Sequence, residues 1–191
     1  YASRGLGDVY KRQPVICINK CDLDEVSAKR VCEEYEKAGY PCVCTSTHTQ
    51  YGLNDLKNLL SGRIIAFSGP SGVGKSSLLN YFLGRAYFTS GAVSSYTGKG
   101  RATTRHAELV PFKAGVFLMD TPGYTLLNID LLDVNGLDFL FKDFRPYLGK
   151  CYFNNCQHIS EPKCAIRKAI EDGFVQKRRY ESYSQIFQKL K

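Results

Sequence analysis

Apolar and polar positions along this chain follow two periods in turn. Pro14 to Ile18 is a short continuous apolar run, the pattern of a buried strand. Asp24 to Ala38 sets Val26, Val31 and Tyr35 among charges and meets Gly39, which predicts a helix with a glycine stop. Pro41 to Thr45 predicts a second strand, on which Cys42 and Cys44 share one face. Leu53, Leu56, Leu59 and Leu60 recur at helical spacing within Gly52 to Leu60, Arg63 to Ser68 predicts a strand, and Lys75 to Leu83 predicts a helix. A polar stretch from Arg85 to Arg105 carries Gly91, Gly98 and Gly100. It predicts a long loop, and loops of that length in a compact domain usually carry function. Ala107 to Phe112 and Gly115 to Met119 then predict two strands joined through Lys113 and Ala114. Alternating strands and helices with short connections predict an α/β fold on a parallel sheet covered on both faces. From about residue 128 the pattern turns helical and cysteine-bearing, which predicts a second, smaller module.

The strand ends carry the chemistry. Gly69-Pro70-Ser71-Gly72-Val73-Gly74-Lys75-Ser76 reads GxxxxGKS between an apolar strand and a helix that continues through Ser77. Its glycines permit tight turns, its successive N–H groups can wrap phosphates, and the helix N-terminus adds partial positive charge. Lys75 is expected to bridge the β- and γ-phosphates and Ser76 to offer its hydroxyl to Mg²⁺. Asn19-Lys20-Cys21-Asp22 reads NKxD, a pattern that alone could be an ordinary surface loop. Beside a phosphate loop its chemistry is specific. The Asp22 carboxylate can accept from guanine N1–H and N2–H₂, a donor pair adenine lacks. The Lys20 stem can lie over the base, and Asn19 can tie the two loops together. Thr45-Ser46-Thr47 is placed to offer a backbone N–H to guanine O6, with Ser46 counted among the nucleotide-binding residues.

Asp120-Thr121-Pro122-Gly123 reads DxPG at a strand end. Asp120 is expected to hold Mg²⁺ through water and the Gly123 N–H to sense the γ-phosphate; standing alone, the motif would be a Pro-Gly turn. In the polar loop, Thr104 is the expected Mg²⁺-closing threonine and Thr103 the alternative. NKxD precedes the phosphate loop, the reverse of an ordinary small GTPase. Both motifs serve one pocket, so the inverted order predicts a circular permutation, which rejoined surface termini allow.

Cys151-x4-Cys156-x-His158-x5-Cys164 offers three thiolates and an imidazole within one short loop, a closed tetrahedral set for one structural zinc. A module this small needs such a staple. The other five cysteines, Cys17, Cys21, Cys32, Cys42 and Cys44, read as small core or surface residues. In the tail, Lys177, Arg178 and Arg179 with Tyr180 and Tyr183 suit RNA phosphate contacts and base stacking. The same pattern also fits a packing helix with a solvated basic face.

Composition narrows the class. With 43% hydrophobic and 13% aromatic residues among 191, the chain can build a core, and wholesale disorder is excluded. The net charge of +8 favours an anionic partner. No run approaches the roughly 18 apolar residues of a membrane span and no secretory segment opens the chain, so a cytoplasmic protein with no membrane partner is expected.

Together, NKCD, GPSGVGKSSLLN, TTRHAEL, DTPG, the Cys-Cys-His-Cys set and RYESY resemble, in their order, the ribosome small subunit-dependent GTPase A family of circularly permuted bacterial GTPases, over about residues 14–191. The resemblance implies GTP hydrolysis stimulated by the small ribosomal subunit, a role in that subunit's late maturation through its rRNA, and a C-terminal zinc module. A monomer binding GTP and GDP is expected. Residues 14–140 are expected to form the permuted GTPase domain, N-terminally incomplete, and 141–191 a zinc-binding helical module. Residues 1–13 show no period and are expected to be a non-native leader, a natural flexible leader being the alternative. Two departures stand out. The family's N-terminal OB-fold domain and the opening strand and helix of its GTPase domain have no counterpart here. Many members also place a water-positioning histidine where this chain has Ala102, and the nearby His106 matches a different position, so the catalytic residue is unknown.

Overall fold

Strands and helices alternate as the apolar pattern demands. The computed structural model describes residues 13–60, 64–86, 108–113, 116–120 and 132–191. In order they form β1 Ile16–Asn19, a 3-10 turn at Cys21–Leu23, α1 Glu25–Lys37, β2 Cys42–Thr45, α2 Leu53–Leu59, β3 Ile64–Phe67, α3 Lys75–Leu83, β4 Glu108–Lys113 and β5 Val116–Asp120. After these come α4 Leu137–Leu140, a 3-10 turn at Arg145–Tyr147, α5 Ala165–Glu171 and α6 Lys177–Leu190. No described helix is long and apolar enough to cross a membrane.

β1 pairs with β2, and β3, β5 and β4 form a three-stranded sheet in that order. β3 and β5 run parallel, with Phe67 opposite Asp120. β4 runs antiparallel to β5, with a register irregularity between Pro111 and Lys113. The expected all-parallel sheet is therefore corrected to a mixed one. A parallel pair needs a crossover of a dozen or more residues, and the two residues between Lys113 and Val116 permit only a reversal.

The chain divides into two compact units, Cys17–Lys29 with Val43–Leu127, and Tyr1–Ile16 with Arg30–Cys42 and Asn128–Lys191. In the first, Ile65, Leu118 and Val110 lie in register across the sheet and are buried. Helix α3 buries Leu78, Leu79 and Phe82, and the Phe82 ring lies 6.2 Å from Phe67 and 6.1 Å from Phe112. Each such side chain contributes about 1.5–3 kcal/mol. On the other sheet face Ile64, Leu109 and Phe117 are exposed among the described residues. In the second unit, Phe141, Phe144, Tyr183 and Phe187 form an aromatic core with Leu137, Ile166 and Val175. The Phe141 and Phe144 rings stack at 5.0 Å, and Tyr183 meets them edge-on at 5.4 and 5.2 Å.

Candidate functional site

The NKCD turn and the phosphate loop, far apart in sequence, touch in the fold. β1 ends at Asn19, and Lys20 turns the chain at φ 63°, a left-handed conformation uncommon outside glycine. That turn aims two side chains at consecutive carbonyls of the other loop. Asn19 Nδ2 donates to the Val73 carbonyl at 2.8 Å, and Lys20 Nζ donates to the Gly72 carbonyl at 2.8 Å. Thr45, fully buried at the end of β2, donates its hydroxyl to Asn19 Oδ1 at 3.1 Å and fixes the amide's orientation. Gly74 sits under this amide. Its φ is +98°, and a Cβ there would stand 2.3 Å from Asn19 Nδ2, so both conformation and space demand glycine.

Lys75 is buried, and its ammonium donates to the Gly69 and Pro70 carbonyls at 3.0 and 3.1 Å. It folds back over the loop that Gly69, Pro70, Ser71, Gly72, Val73 and Gly74 trace. Ser76 and Ser77 follow on the first turn of α3, half-buried, and the residue at its N-cap is Gly74. Asp120 ends β5 beside the end of β3, from which the loop departs. Ala102, Thr103, Thr104, His106 and Gly123 lie outside the described residues, as does the Asp120 side chain.

Asp22 is exposed in the 3-10 turn, beside buried Cys21. A hydrogen bond from the Ser46 hydroxyl holds its carboxyl below the usual carboxylate range, aided by its own backbone N–H. The Ser46 backbone N–H is not available to a base, because it donates to the Tyr51 carbonyl at 3.0 Å. Ser46 is fully buried, and its Oγ accepts from the Thr49 N–H at 3.1 Å.

The second constellation closes on itself. The donor atoms of Cys151, Cys156, His158 and Cys164 lie within 4.8 Å of one another and could hold a metal ion. Cys151 Sγ is 3.5 Å from His158 Nδ1 and 3.9 Å from Cys164 Sγ, and His158 Nδ1 is 3.4 Å from Cys164 Sγ. His158 adopts φ 62° to turn its ring inward, and its far nitrogen, Nε2, faces Asp138 Oδ2 at 3.4 Å. That contact lowers the Asp138 pKa. Carboxylate–imidazole pairs of this kind orient metal-ligating histidines. The Ala165 N–H points at Cys151 Sγ at 3.3 Å. Burial raises the Cys151 thiol, but this N–H and the neighbouring donors outweigh it and hold the thiol below its ordinary range. Cys156 is pushed up to about 12 by burial and by the adjacent sulfurs. Three thiols this close cannot all ionise alone, a conflict that a bound dication removes.

In the tail, Lys177 and Arg178 open α6, and the Arg178 guanidinium is 62% exposed, 3.9 Å from Glu34. Arg179 departs from the expectation that it contacts RNA. Its guanidinium clasps Asp143, with Nη2 to Oδ1 at 2.7 Å and Nε to Oδ2 at 3.2 Å, and lies 5.0 Å from the Phe141 ring centre. Tyr183 is likewise core rather than a stacking surface; it is 2% exposed and donates its hydroxyl to the Gln157 carbonyl at 2.8 Å. The Tyr180 hydroxyl donates to the His158 carbonyl at 2.8 Å. Helical periodicity puts Tyr183 and Phe187 on the face that the core requires, which overrides a reading by composition. Sequence reasoning missed Asp138, Ser46's side-chain role and Glu161, whose carboxylate accepts from the Gln157, Ile159 and Ser160 N–H groups. None has a motif; only Glu161's closeness to the ligands offered a hint.

With this geometry in place, comparison with known proteins is specific. The chain is 38% identical over 187 residues to the small ribosomal subunit biogenesis GTPase RsgA of Caldanaerobacter subterraneus subsp. tengcongensis, covering 97% of this chain and 63% of that protein. It resembles the crystal structure of YjeQ from Thermotoga maritima with a TM-score of 0.72 at 36% identity, covering 97% of this chain and 62% of that one. It also resembles the crystal structure of YloQ, described as a circularly permuted GTPase, with a TM-score of 0.70 at 34% identity over 94% of this chain and 57% of that one. The chain thus spans about three-fifths of the length of these proteins. The α/β fold with NKCD ahead of the phosphate loop is that of a circularly permuted GTPase. The RsgA GTPase family model matches residues 7–130, and the chain belongs to that family.

Proposed function

We propose that the chain binds GTP and GDP, hydrolyses GTP with Mg²⁺, and acts in late maturation of the small ribosomal subunit, which stimulates its turnover. The observation that carries this reading is the joining of the two loops by Asn19 and Lys20 at the Val73 and Gly72 carbonyls. A base reader fastened to a phosphate cradle suits a guanine nucleotide. Asp22 reads the guanine edge, with Ser46 orienting it, and the Lys20 stem covers the base. Residues 69–77 take the phosphates, with Lys75 exchanging its loop carbonyls for phosphate oxygens. Ser76, Asp120 and Thr104 would hold Mg²⁺, which supplies charge neutralisation, and the Gly123 N–H would sense the γ-phosphate. The relative from Caldanaerobacter is named for small-subunit biogenesis, which supports the partner.

Residues 14–140 would form the GTPase domain and 141–191 the metal-binding helical module. The donor set suits zinc. Bonds of about 2.3 Å to sulfur and 2.0–2.1 Å to nitrogen give tetrahedral edges of roughly 3.8 and 3.5 Å. The three pairs among Cys151, His158 and Cys164 stand at 3.9 Å and at 3.4 to 3.5 Å, and all four donor atoms lie within 4.8 Å of one another. Lys177 and Arg178 are the basic residues of α6 offered to rRNA. A cytoplasmic monomer completes the reading.

Ala102 favours a second reading, a GTP-sensing RNA-binding module with negligible hydrolysis. GTP turnover measured with and without purified small ribosomal subunits separates the two. Stimulated turnover is the expected result. GTP binding without stimulated turnover would select the second reading, and equal competition by ATP would overturn both.

A further inference from the structure

The geometry points to Tyr152 and Phe153 as a stacking platform for unpaired RNA bases, with Lys150 and Lys163 set for the flanking phosphates. This rests on the rRNA reading above and names a surface for it outside the basic start of α6. Tyr152 is 66% exposed and Phe153 40%, although each is large and apolar enough to be expected in the core. Their rings meet edge to face at 5.0 Å. Tyr152 directly follows the ligand Cys151, and Lys163 directly precedes the ligand Cys164. The Tyr152 N–H donates to the Lys163 carbonyl at 3.3 Å, joining the two ligand-bearing segments. A platform built on metal ligands loses little entropy when it binds.

The segment that carries the platform is mostly basic. Between Lys150 and Lys168 the sole acid is Glu161, and its carboxylate is committed to three backbone N–H groups of the metal loop. The Lys163 ammonium stands 4.8 Å over the Tyr152 ring, close enough for a cation–π contact and for a phosphate beside a stacked base. Asn154 and Asn155, both exposed, bring amide donors and acceptors to the same turn. Lysines framing exposed rings argue for nucleic acid over protein, since protein interfaces are depleted in lysine. Stacking demands bases outside a duplex, so the ligand is a loop or single strand.

The test uses the full chain loaded with zinc. Affinities are measured for a short fluorescein-labelled oligouridylate, for duplex RNA of equal length and for purified small ribosomal subunits. The variants are Tyr152→Ala/Phe153→Ala, the swap Tyr152→Phe/Phe153→Tyr, and Lys177→Ala/Arg178→Ala, each checked for zinc content and thermal melting. The alanine pair is expected to lower affinity for the single strand and the subunit about tenfold or more, with the swap retaining native affinity. Native affinity in the alanine pair, or an equal loss in the swap, overturns the platform and leaves the rRNA reading in place. Subunit binding by the native chain without any oligouridylate binding, or preference for the duplex, also overturns it. A native chain that binds neither RNA nor subunits overturns the rRNA reading as well.

Discussion

The Asn19 side-chain amide donates to the Val73 carbonyl at 2.8 Å across 54 residues of sequence. This bond fastens the base-reading turn to the phosphate loop, and Gly74 lies so close beneath it that a Cβ would stand 2.3 Å from the same nitrogen. A loop motif and a strand-end motif are therefore one mechanical object, and each can be tested through the other.

Replacing Asn19 by alanine removes the donor to Val73 and the acceptor for Thr45. Losing such a bond costs about 1–3 kcal/mol, so GTP affinity should fall roughly tenfold in a calorimetric titration. Gly74→Ala should be worse, since the side chain meets both the amide and a φ of +98°. The double variant should lose less than the two effects summed, because Asn19→Ala removes the atom that clashes; strict additivity would sink the coupling.

The Asp22 carboxyl is held below the usual carboxylate range, first by the Ser46 hydroxyl. A depressed folded pKa means that the charged, base-reading form persists as pH falls through the ordinary carboxylate range and is lost only below it. GTP affinity should stay level from neutral pH through that range. Ser46→Ala should move the acidic edge of the titration upward, toward the ordinary value. An unmoved edge would show that Ser46 does not orient the acid.

Chelation should strip one zinc per chain, read by elemental analysis, and lower the melting temperature. The ligand Cys164 directly precedes α5, whose Ile166 and Ala169 are buried in the aromatic core. Asp138→Asn should retain full stoichiometry at saturating zinc yet weaken affinity about 10- to 100-fold, as outer partners of ligating histidines do. Unchanged affinity would remove Asp138 from the site.

The Arg179 side chain is 16% exposed and that of its partner Asp143 only 3%. Arg179→Ala should destabilise by about 3–5 kcal/mol in denaturant titration, because it strands a buried carboxylate. Arg179→Lys should recover only part of this, lacking the planar fork. Arg178→Ala, at an exposed position, should leave stability within about 0.5 kcal/mol. Equal effects at the two positions would contradict the division between a structural and a surface arginine.

Much of this protein was legible before any coordinates. Glycine spacing, the strand ahead of it and the helix beyond it specify a phosphate loop, because those requirements are local and bear on backbone conformation. The run from Lys75 to Leu83 is a helix with the bounds that its apolar spacing predicts. Four metal donors within one short turn are legible for the same reason. The antiparallel β4 is legible in principle, since its connection to β5 is too short for a crossover, but the alternation of strands and helices points to a parallel sheet instead.

The chain's local order specifies a set of devices: two nucleotide motifs in inverted order, a metal-donor set and a family. Tertiary structure alone decided which polar groups remain available for them. Ser46 gives its amide to Tyr51 and its hydroxyl to Asp22, Arg179 turns to Asp143, and Tyr183 enters the core while Tyr152 stays outside. The physical reason is that hydrogen-bond partners and burial are set by contacts between segments distant in sequence. Two basic or aromatic residues of equal local promise part company only when those segments meet.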